Sequence, residues 1–490
     1  MDNPNKLPAS SDWDFELLRK IDIECARIAN GYGLDTYPNQ IDVITSEQMI
    51  DAYSSVGLPT YYNHWSFGKS FIQEQKTYKR GQSGLAYEIV INSNPCIAYL
   101  MEENSLMMQT LVIAHASYGH NSFFKGNYLF RAWTDAEGIV DYMKFAKKYI
   151  KECEEKHSVW EVERVLDACH ALQNFGVDKY KRPAKLSAED EKARQTERAE
   201  YAQSQINELW NTLPSERKHK IDDDNFPKEP QENILYFIEK NAPNLPAWKR
   251  EIVRIVRKIA QYFYPQRQTQ LMNEGWATFW HYTILNTMYD EGLVGDGFML
   301  EFLKSHSGVT TQHPGASINP YALGFAMYND IKRMCENPTE EDADWFPDLV
   351  GKDWRVELDY AMRNFRDESF VLQYLSPKVI RDFRLFSLED DSESSTYGVS
   401  EIHDDAGYAT IRKQLAEQYN LSAREPNIQV FRADIKHGRE LTLVYNQYRD
   451  RDLNDYTYEV MRHVRSLWGH KVYLNTLDEK GGVVNVMASM

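Results

Sequence analysis

The stretch Leu111-Val112-Ile113-Ala114-His115-Ala116-Ser117-Tyr118-Gly119-His120-Asn121-Ser122-Phe123-Phe124 decides how this chain is read. It is an apolar helix interrupted by two imidazoles. Imidazole is the commonest protein metal ligand and the usual acid or base near neutral pH. Just upstream, Leu85–Asn92 and Cys96–Met101 are short apolar, partly β-branched runs around Ser93-Asn94-Pro95. That pattern predicts a β-hairpin. A hairpin leading into a helix with paired histidines is the order found in zinc peptidases.

The spacing departs from the peptidase pattern. In H-E-x-x-H the residues at i and i+4 share a helix face. His115 and His120 stand at i and i+5, so on a regular helix their rings diverge by roughly 140°. Gly119 offers a remedy, either by ending the helix or by opening a π-bulge, a feature that recurs at functional sites. Position 116 is alanine, so the usual glutamate base is absent. Glu102 and Glu103 follow the second hairpin run and are candidates to supply it, with Glu103 taken as the catalytic residue. Adjacent acids before a helix also serve as plain complements to its dipole.

A second element reads Asn273-Glu274-Gly275-Trp276-Ala277-Thr278-Phe279-Trp280-His281. A carboxylate in so apolar a helix is costly unless it is paired or ligating. Glu274 and His281 share a face but stand about 10.5 Å apart along the axis, so both do not reach one ion. Glu274 is the ligand candidate. His281 is the candidate supporting residue or proton donor. The E-G-W-A string resembles the downstream glutamate helix of some zinc metallopeptidases. His115, His120 and Glu274 therefore form the expected metal set, with zinc as the expected ion. The competing reading is a buried polar network without metal. His64, among aromatics, and His170, on an apolar helix, are read as hydrogen-bonded core histidines.

Working outward, the 490 residues carry a net charge of -17, which repels phosphate backbones and anionic membrane surfaces. Five cysteines, none in a C-x-x-C pair, suit a reducing compartment. The start, MDNPNKLPASSDWDFE, lacks the basic and apolar regions of a signal peptide, and no apolar run approaches the roughly 20 residues of a membrane span. A cytoplasmic location is expected. Phosphate-binding glycine loops and the G-x-S-x-G elbow are missing, and nucleotide-dependent chemistry is not expected.

The expected fold is α+β and mainly α-helical. Residues 1–12 are a flexible lead, and residues 13–387 a large helical domain in which the hairpin feeds a zincin-like histidine helix. Helices are expected at Trp13–Asn30, from Thr45 to Gly57–Pro59, and over most of 135–313, including a charged solvated helix at Ser187–Trp210. The aromatic segment Thr60–Lys79 reads as packing under a loop. Residues 388–426, acidic and serine-rich at Leu388–Ser395, read as a linker region. Past Pro426 the period changes to that of strands, and residues 427–490 read as a small ββαββ module.

Several long strings then point to one family. They are W-D-F-E (Trp13–Glu16), Y-N-H-W-S-F-G-K (Tyr62–Lys69), A-H-A-S-Y-G-H-N-S-F-F-K (Ala114–Lys125) and Y-K-R-P (Tyr180–Pro183). P-Q-E-N (Pro230–Asn233), M-N-E-G-W-A-T-F-W-H-Y (Met272–Tyr282), I-N-P-Y-A-L-G-F (Ile318–Phe325) and L-S-P-K-V (Leu375–Val379) continue the match. Together they resemble the SpoVR (stage V sporulation protein R) family over almost the whole chain, in the form found in enterobacteria, which do not sporulate. The resemblance implies a link to spore cortex formation in spore formers and to stress or stationary phase elsewhere. It also implies partnership with a PrkA-type serine protein kinase and a von Willebrand factor A-like protein. It brings no established catalytic mechanism. Two functions stay open: a metal-dependent hydrolase of amide bonds, related to peptidoglycan, and a non-enzymatic regulator or adaptor working with that kinase.

Overall fold

The computed structural model describes residues 6–54, 62–79, 88–179, 226–313, 316–386, 399, 402, 404–421, 425–435, 438–449 and 451–489. The expected helix at Ser187–Trp210 and the serine-rich segment Leu388–Ser395 lie outside them. The chain divides into two compact units, Met1–Arg164 with Gln261–Glu425, and Val165–Ala260 with Pro426–Met490. No helix among the described residues is long and apolar enough to cross a membrane.

The first unit is mainly helical and holds the histidine segment. Among its described residues, a small sheet contains β1 (Asn39–Ile44), β2 (Glu88–Ile91) and β3 (Cys96–Met101), in the order β1-β3-β2. The expected hairpin is there: β2 pairs antiparallel with β3, Glu88 opposite Leu100 and Ile91 opposite Ile97. β1, which sequence reading left unassigned, runs parallel to β3 from Asn39 opposite Cys96 to Ile44 opposite Met101. The aromatic segment expected to pack under a loop contains a helix, Trp65–Lys79. His64 prepares its first turn by accepting from the Ser66 N–H, and Gln73 to Lys76 are good helix formers.

The histidine helix begins at Leu106, where the Ser105 hydroxyl accepts from the Met108 N–H. It is α-helical over Leu106–Val112, π-helical over Ile113–His120 and α-helical again over Asn121–Gly126. The π segment widens the turn to an i→i+5 pattern, which brings residues five apart onto one face. Polar ties hold it. The Tyr118 hydroxyl donates to Asp22 Oδ1 at 2.6 Å, and the Asn121 amide exchanges hydrogen bonds with the backbone N–H and carbonyl of Tyr37, each at 2.8 Å. Trp276 Nε1 donates to Ser122 Oγ at 2.9 Å.

The glutamate helix, Gln270–Asp290, crosses directly against this segment. Two N–H groups of its first turn, those of Leu271 and Met272, donate to the Asp367 carboxylate at 2.9 Å. An anion there complements the positive end of the helix. A Cβ on Gly119 would lie 2.6 Å from the Ala277 Cα, so the two backbones touch. On another side, a Cβ on Gly275 would lie 2.4 Å from the carbonyl carbon of Gly324, in the helix Pro320–Glu336. Around these contacts Trp276, Phe279, Trp280 and Tyr328 are buried, each worth on the order of 2 kcal/mol in apolar burial.

The second unit contains the ββαββ module as expected. β4 (Asn427–Ala433), β5 (Leu441–Asn446), a helix (Thr457–Trp468), β6 (Val472–Leu477) and β7 (Val483–Ala488) form a sheet in the order β4-β5-β6-β7. β5 and β6 are parallel, which requires the crossover helix between them. The module packs within its unit with residues from 165–260: Trp468 stacks on Phe237 at 6.0 Å, and β4 bridges to Gln231.

The backbone contact at Gly119 gives a direct test. Gly119→Ala places a methyl group inside the Ala277 backbone and should cost about 2–3 kcal/mol. Chemical denaturation should show a lower midpoint with an unchanged slope. Stability equal to the parent protein would mean that the two helices are not in backbone contact.

Candidate metal centre

The π segment delivers what the spacing alone denied. His115 and His120 point to one side, with their ring centroids 4.6 Å apart. Two carboxylates meet them there. His115 Nε2 lies 3.3 Å from Glu88 Oε1 and 3.8 Å from Glu274 Oε2. His120 Nε2 lies 4.0 Å from Glu88 Oε1 and 3.6 Å from Glu274 Oε2. Donor atoms around a zinc-sized ion at 2.0–2.1 Å sit roughly 3.4 Å apart, so a small contraction of this cluster would enclose one ion. Among the described residues, Glu88, His115 and His120 form the one group of such side chains whose donor atoms all lie within 4.8 Å of one another.

Of the expected ligands, His115 and His120 belong to that group, and Glu274 lies outside it with Oε2 3.8 and 3.6 Å from their Nε2 atoms. Glu88 joins them without having been singled out. Its signal was in the sequence: a carboxylate at the head of the otherwise apolar run Glu88-Ile89-Val90-Ile91. Glu103 is not brought to the cluster. It is exposed in the turn after β3, where its carboxylate accepts from the Ser46 N–H at 3.4 Å. The turn carries it away from the face along which β2 presents Glu88. His64 pairs with Ser66 at 2.6 Å, and His170 belongs to the second unit, so neither adds to the site.

Two hydrogen bonds fix the histidine rings from behind. His120 Nδ1 meets Asn273 Oδ1 at 2.9 Å, which requires an N–H at Nδ1 and leaves the Nε2 lone pair facing the carboxylates. His115 Nδ1 meets His281 Nδ1 at 2.8 Å, and His281 Nε2 meets His306 Nδ1 at 2.9 Å. His281 is thus a support for His115 and stands outside the ring of donor atoms. Tyr321, at the head of the helix Pro320–Glu336, hydrogen-bonds to Glu274 and lays its ring parallel to that of His115. Asn273 adjoins Glu274 in the chain, so its position was legible. His306 and Tyr321 carry no comparable signal.

The electrostatics separate the two carboxylates. Burial lifts Glu88 to about 7, with His115 opposing and Glu274 adding to the rise. Burial would lift Glu274 too, but His120, His115 and the Tyr321 hydroxyl outweigh it and hold it below the usual carboxylate range. Burial works against charge on His115, yet Glu88 and Glu274 carry it above the ordinary imidazole value. Burial takes His120 down to about 4 against the pull of Glu274, and it takes His306 to about 4 as well. His281 is driven well below the ordinary value, first by burial and then by His115.

Oε2 of Glu88 and Oε2 of Glu274 are buried without a hydrogen-bond partner. Buried carboxylate oxygens are normally satisfied. Of these two atoms Glu274 Oε2 is the one that faces the imidazoles, and a dication held there, with Glu88 Oε1 close by, would give it a partner and leave the site close to electrically neutral. The donors are nitrogen and oxygen only, since the five cysteines are buried elsewhere. Such a set suits zinc, iron or manganese better than a soft ion. The cluster opens on its carboxylate side, where the Glu88 and Glu274 side chains stay 18% and 19% exposed against 5% and 8% for the histidines.

A helical frame here carries a π-turned histidine pair facing two carboxylates, a cluster that could hold a metal ion. Family comparison places it further. A model described as SpoVR like protein matches residues 12–424, and one described as SpoVR-like C-terminal domain matches residues 426–479, so the chain belongs to the SpoVR family. It is 60% identical over 485 residues to the uncharacterized protein YcgB of Escherichia coli (strain K12), a match that covers 98% of this chain and 95% of that one. No solved structure matches it.

The unpartnered carboxylates predict a trade of stability for binding. Glu88→Gln should stabilise the metal-stripped protein at pH 8 by about 1 kcal/mol, because it removes a buried charge at modest loss of pairing. Thermal melts in chelator would read this as a raised Tm. A lowered Tm would show that the Glu88 charge is already satisfied.

Proposed function

We propose that the chain is a metal-dependent hydrolase of amide bonds, with zinc as the ion of first choice and peptidoglycan-related peptides as the substrate class. The observation that carries this reading is the convergence of His115 Nε2 and His120 Nε2 on Glu88 Oε1 and on Glu274 Oε2, the last a buried oxygen without a hydrogen-bond partner. Glu274 serves as the third ligand, because its neighbours keep it ionised, as a ligand must be. Glu88 serves as the general base that Ala116 does not provide, since a base poised near 7 matches that task. A bound dication would supply a polarised water and a Lewis acid for the carbonyl. Asn273 and His281 hold the two imidazoles in place, and Tyr321 steadies Glu274. The peptidoglycan link rests on the cortex role implied by the family.

Metal analysis of the purified protein is the test. Wild type should carry about one equivalent of metal, and His115→Ala and Glu274→Gln should lose it. Glu88→Gln should keep the metal within about tenfold while losing turnover of peptide amides by 10²-fold or more. Folded wild type that takes up no zinc, iron or manganese would overturn the reading.

One observation favours a second role beside the first. β7 is an edge strand whose Val483, Val484 and Val486 are 59%, 60% and 58% exposed. Exposed apolar edges are usually blunted in solitary proteins, and they suit pairing with another chain. We propose the C-terminal module as the docking piece for a PrkA-type serine protein kinase or its von Willebrand factor A-like companion. Val484→Lys with Val486→Lys should then abolish co-purification with the kinase and leave metal content unchanged. Undiminished co-purification would count against docking at this edge.

A further inference from the structure

We propose that His281 and His306 are positioning residues that form, with His115, a one-directional chain of three imidazoles, and that this chain holds the metal-facing nitrogen of His115 as a lone pair. The inference rests on the metal reading above. The geometry is a pair of ring-to-ring hydrogen bonds, His115 Nδ1 to His281 Nδ1 at 2.8 Å and His281 Nε2 to His306 Nδ1 at 2.9 Å. A neutral imidazole has one donor and one acceptor nitrogen, so a single choice at one end sets every link. If His115 offers its Nε2 lone pair to an ion, its Nδ1 carries the hydrogen and donates to His281 Nδ1. His281 must then carry its hydrogen on Nε2, donate to His306 Nδ1, and leave the His306 hydrogen on Nε2.

The packing holds each ring in the plane this requires. His281 is buried between the histidine helix and the helix Asp296–Thr310, edge-on to Phe302 at 6.0 Å. His306 is enclosed by Tyr282, Phe302 and Phe325, with ring centroids 4.9, 5.6 and 4.8 Å away. A ring so enclosed does not flip freely, so its Nδ1 stays aimed at His281.

The choice of imidazole for this role has an electrostatic reason. A ligating histidine is more often backed by a carboxylate, which raises its basicity. Here Glu88 and Glu274 already bring two negative charges to one ion. A third carboxylate behind His115 would leave the buried site with a net negative charge. Neutral imidazoles orient His115 and add none.

The test separates orientation from simple packing. His306→Leu keeps an apolar side chain of similar bulk but removes the acceptor for His281. His306→Gln restores an acceptor at Oε1. Metal affinity, measured by competition with a chromogenic chelator, should fall roughly 10- to 100-fold in His306→Leu and recover to within roughly threefold of wild type in His306→Gln. The visible spectrum of the cobalt-substituted protein should shift in the leucine variant and return in the glutamine variant. Equal affinity in wild type and His306→Leu, or equal loss in both variants, overturns the proposal. Nitrogen-15 shifts of the histidine rings give a readout that does not need metal. A hydrogen on His115 Nδ1 and on His281 Nε2, with none on His115 Nε2, supports the chain even if wild type binds no ion, an outcome that would sink the metal reading alone. Hydrogens on His281 Nδ1 and His306 Nδ1 would show the chain running the other way and overturn it.

Discussion

The near-contact of two backbones, at Gly119 and Ala277, is the constraint on which the site depends. Side chains longer than a hydrogen at position 119 would hold the histidine helix and the glutamate helix apart by the width of a methyl group. At that wider spacing, imidazoles from one helix and a carboxylate from the other would not share a single ion. The same helix is pinned on another side by Gly275 against Gly324 and at its start by Asp367. Glu274 is therefore placed by three constraints of different kinds: steric closeness on two flanks and an anion at its positive end.

The site joins residues from elements far apart in sequence, and each element does a separate task. The strand β2 brings a carboxylate whose proton affinity burial raises. The histidine helix brings two nitrogens, and the glutamate helix brings an ionised oxygen together with the groups that orient both rings. Burying so many polar groups destabilises the fold unless they satisfy one another, and two carboxylate oxygens remain unsatisfied. Residual frustration of this kind collects at functional sites.

Much of this was legible in the amino-acid sequence, and the reasons are local. Apolar periodicity broken by His115 and His120 marked the helix, Gly119 marked the place where its turn could widen, and Glu274 stood out as a costly charge among tryptophans. The hairpin and the ββαββ module were visible because alternation over four to eight residues is itself the signal for strands. Other features were not local. β1 takes its partner from a strand more than fifty residues away, and nothing near Asn39–Ile44 announces that pairing. Glu103 was singled out because it sits next to the helix in sequence and Glu88 was not considered, whereas the sheet decides which carboxylate faces the histidines. His306 and Tyr321 arrive on elements whose own patterns speak only of packing.

The π-helical turn has a consequence for how such a site can arise or be lost. A helix widened to five-residue spacing differs from an ordinary one by a single extra residue in the ladder. Removing one residue between His115 and His120 would rotate all that follows by about 100° and move Asn121, Ser122 and their anchors off their partners. Adding one would do the reverse. Point substitutions can tune the donors one at a time, but the arrangement as a whole is reached by a change in the number of residues. The site is therefore more sensitive to the number of residues between its two histidines than to the residues that fill that interval.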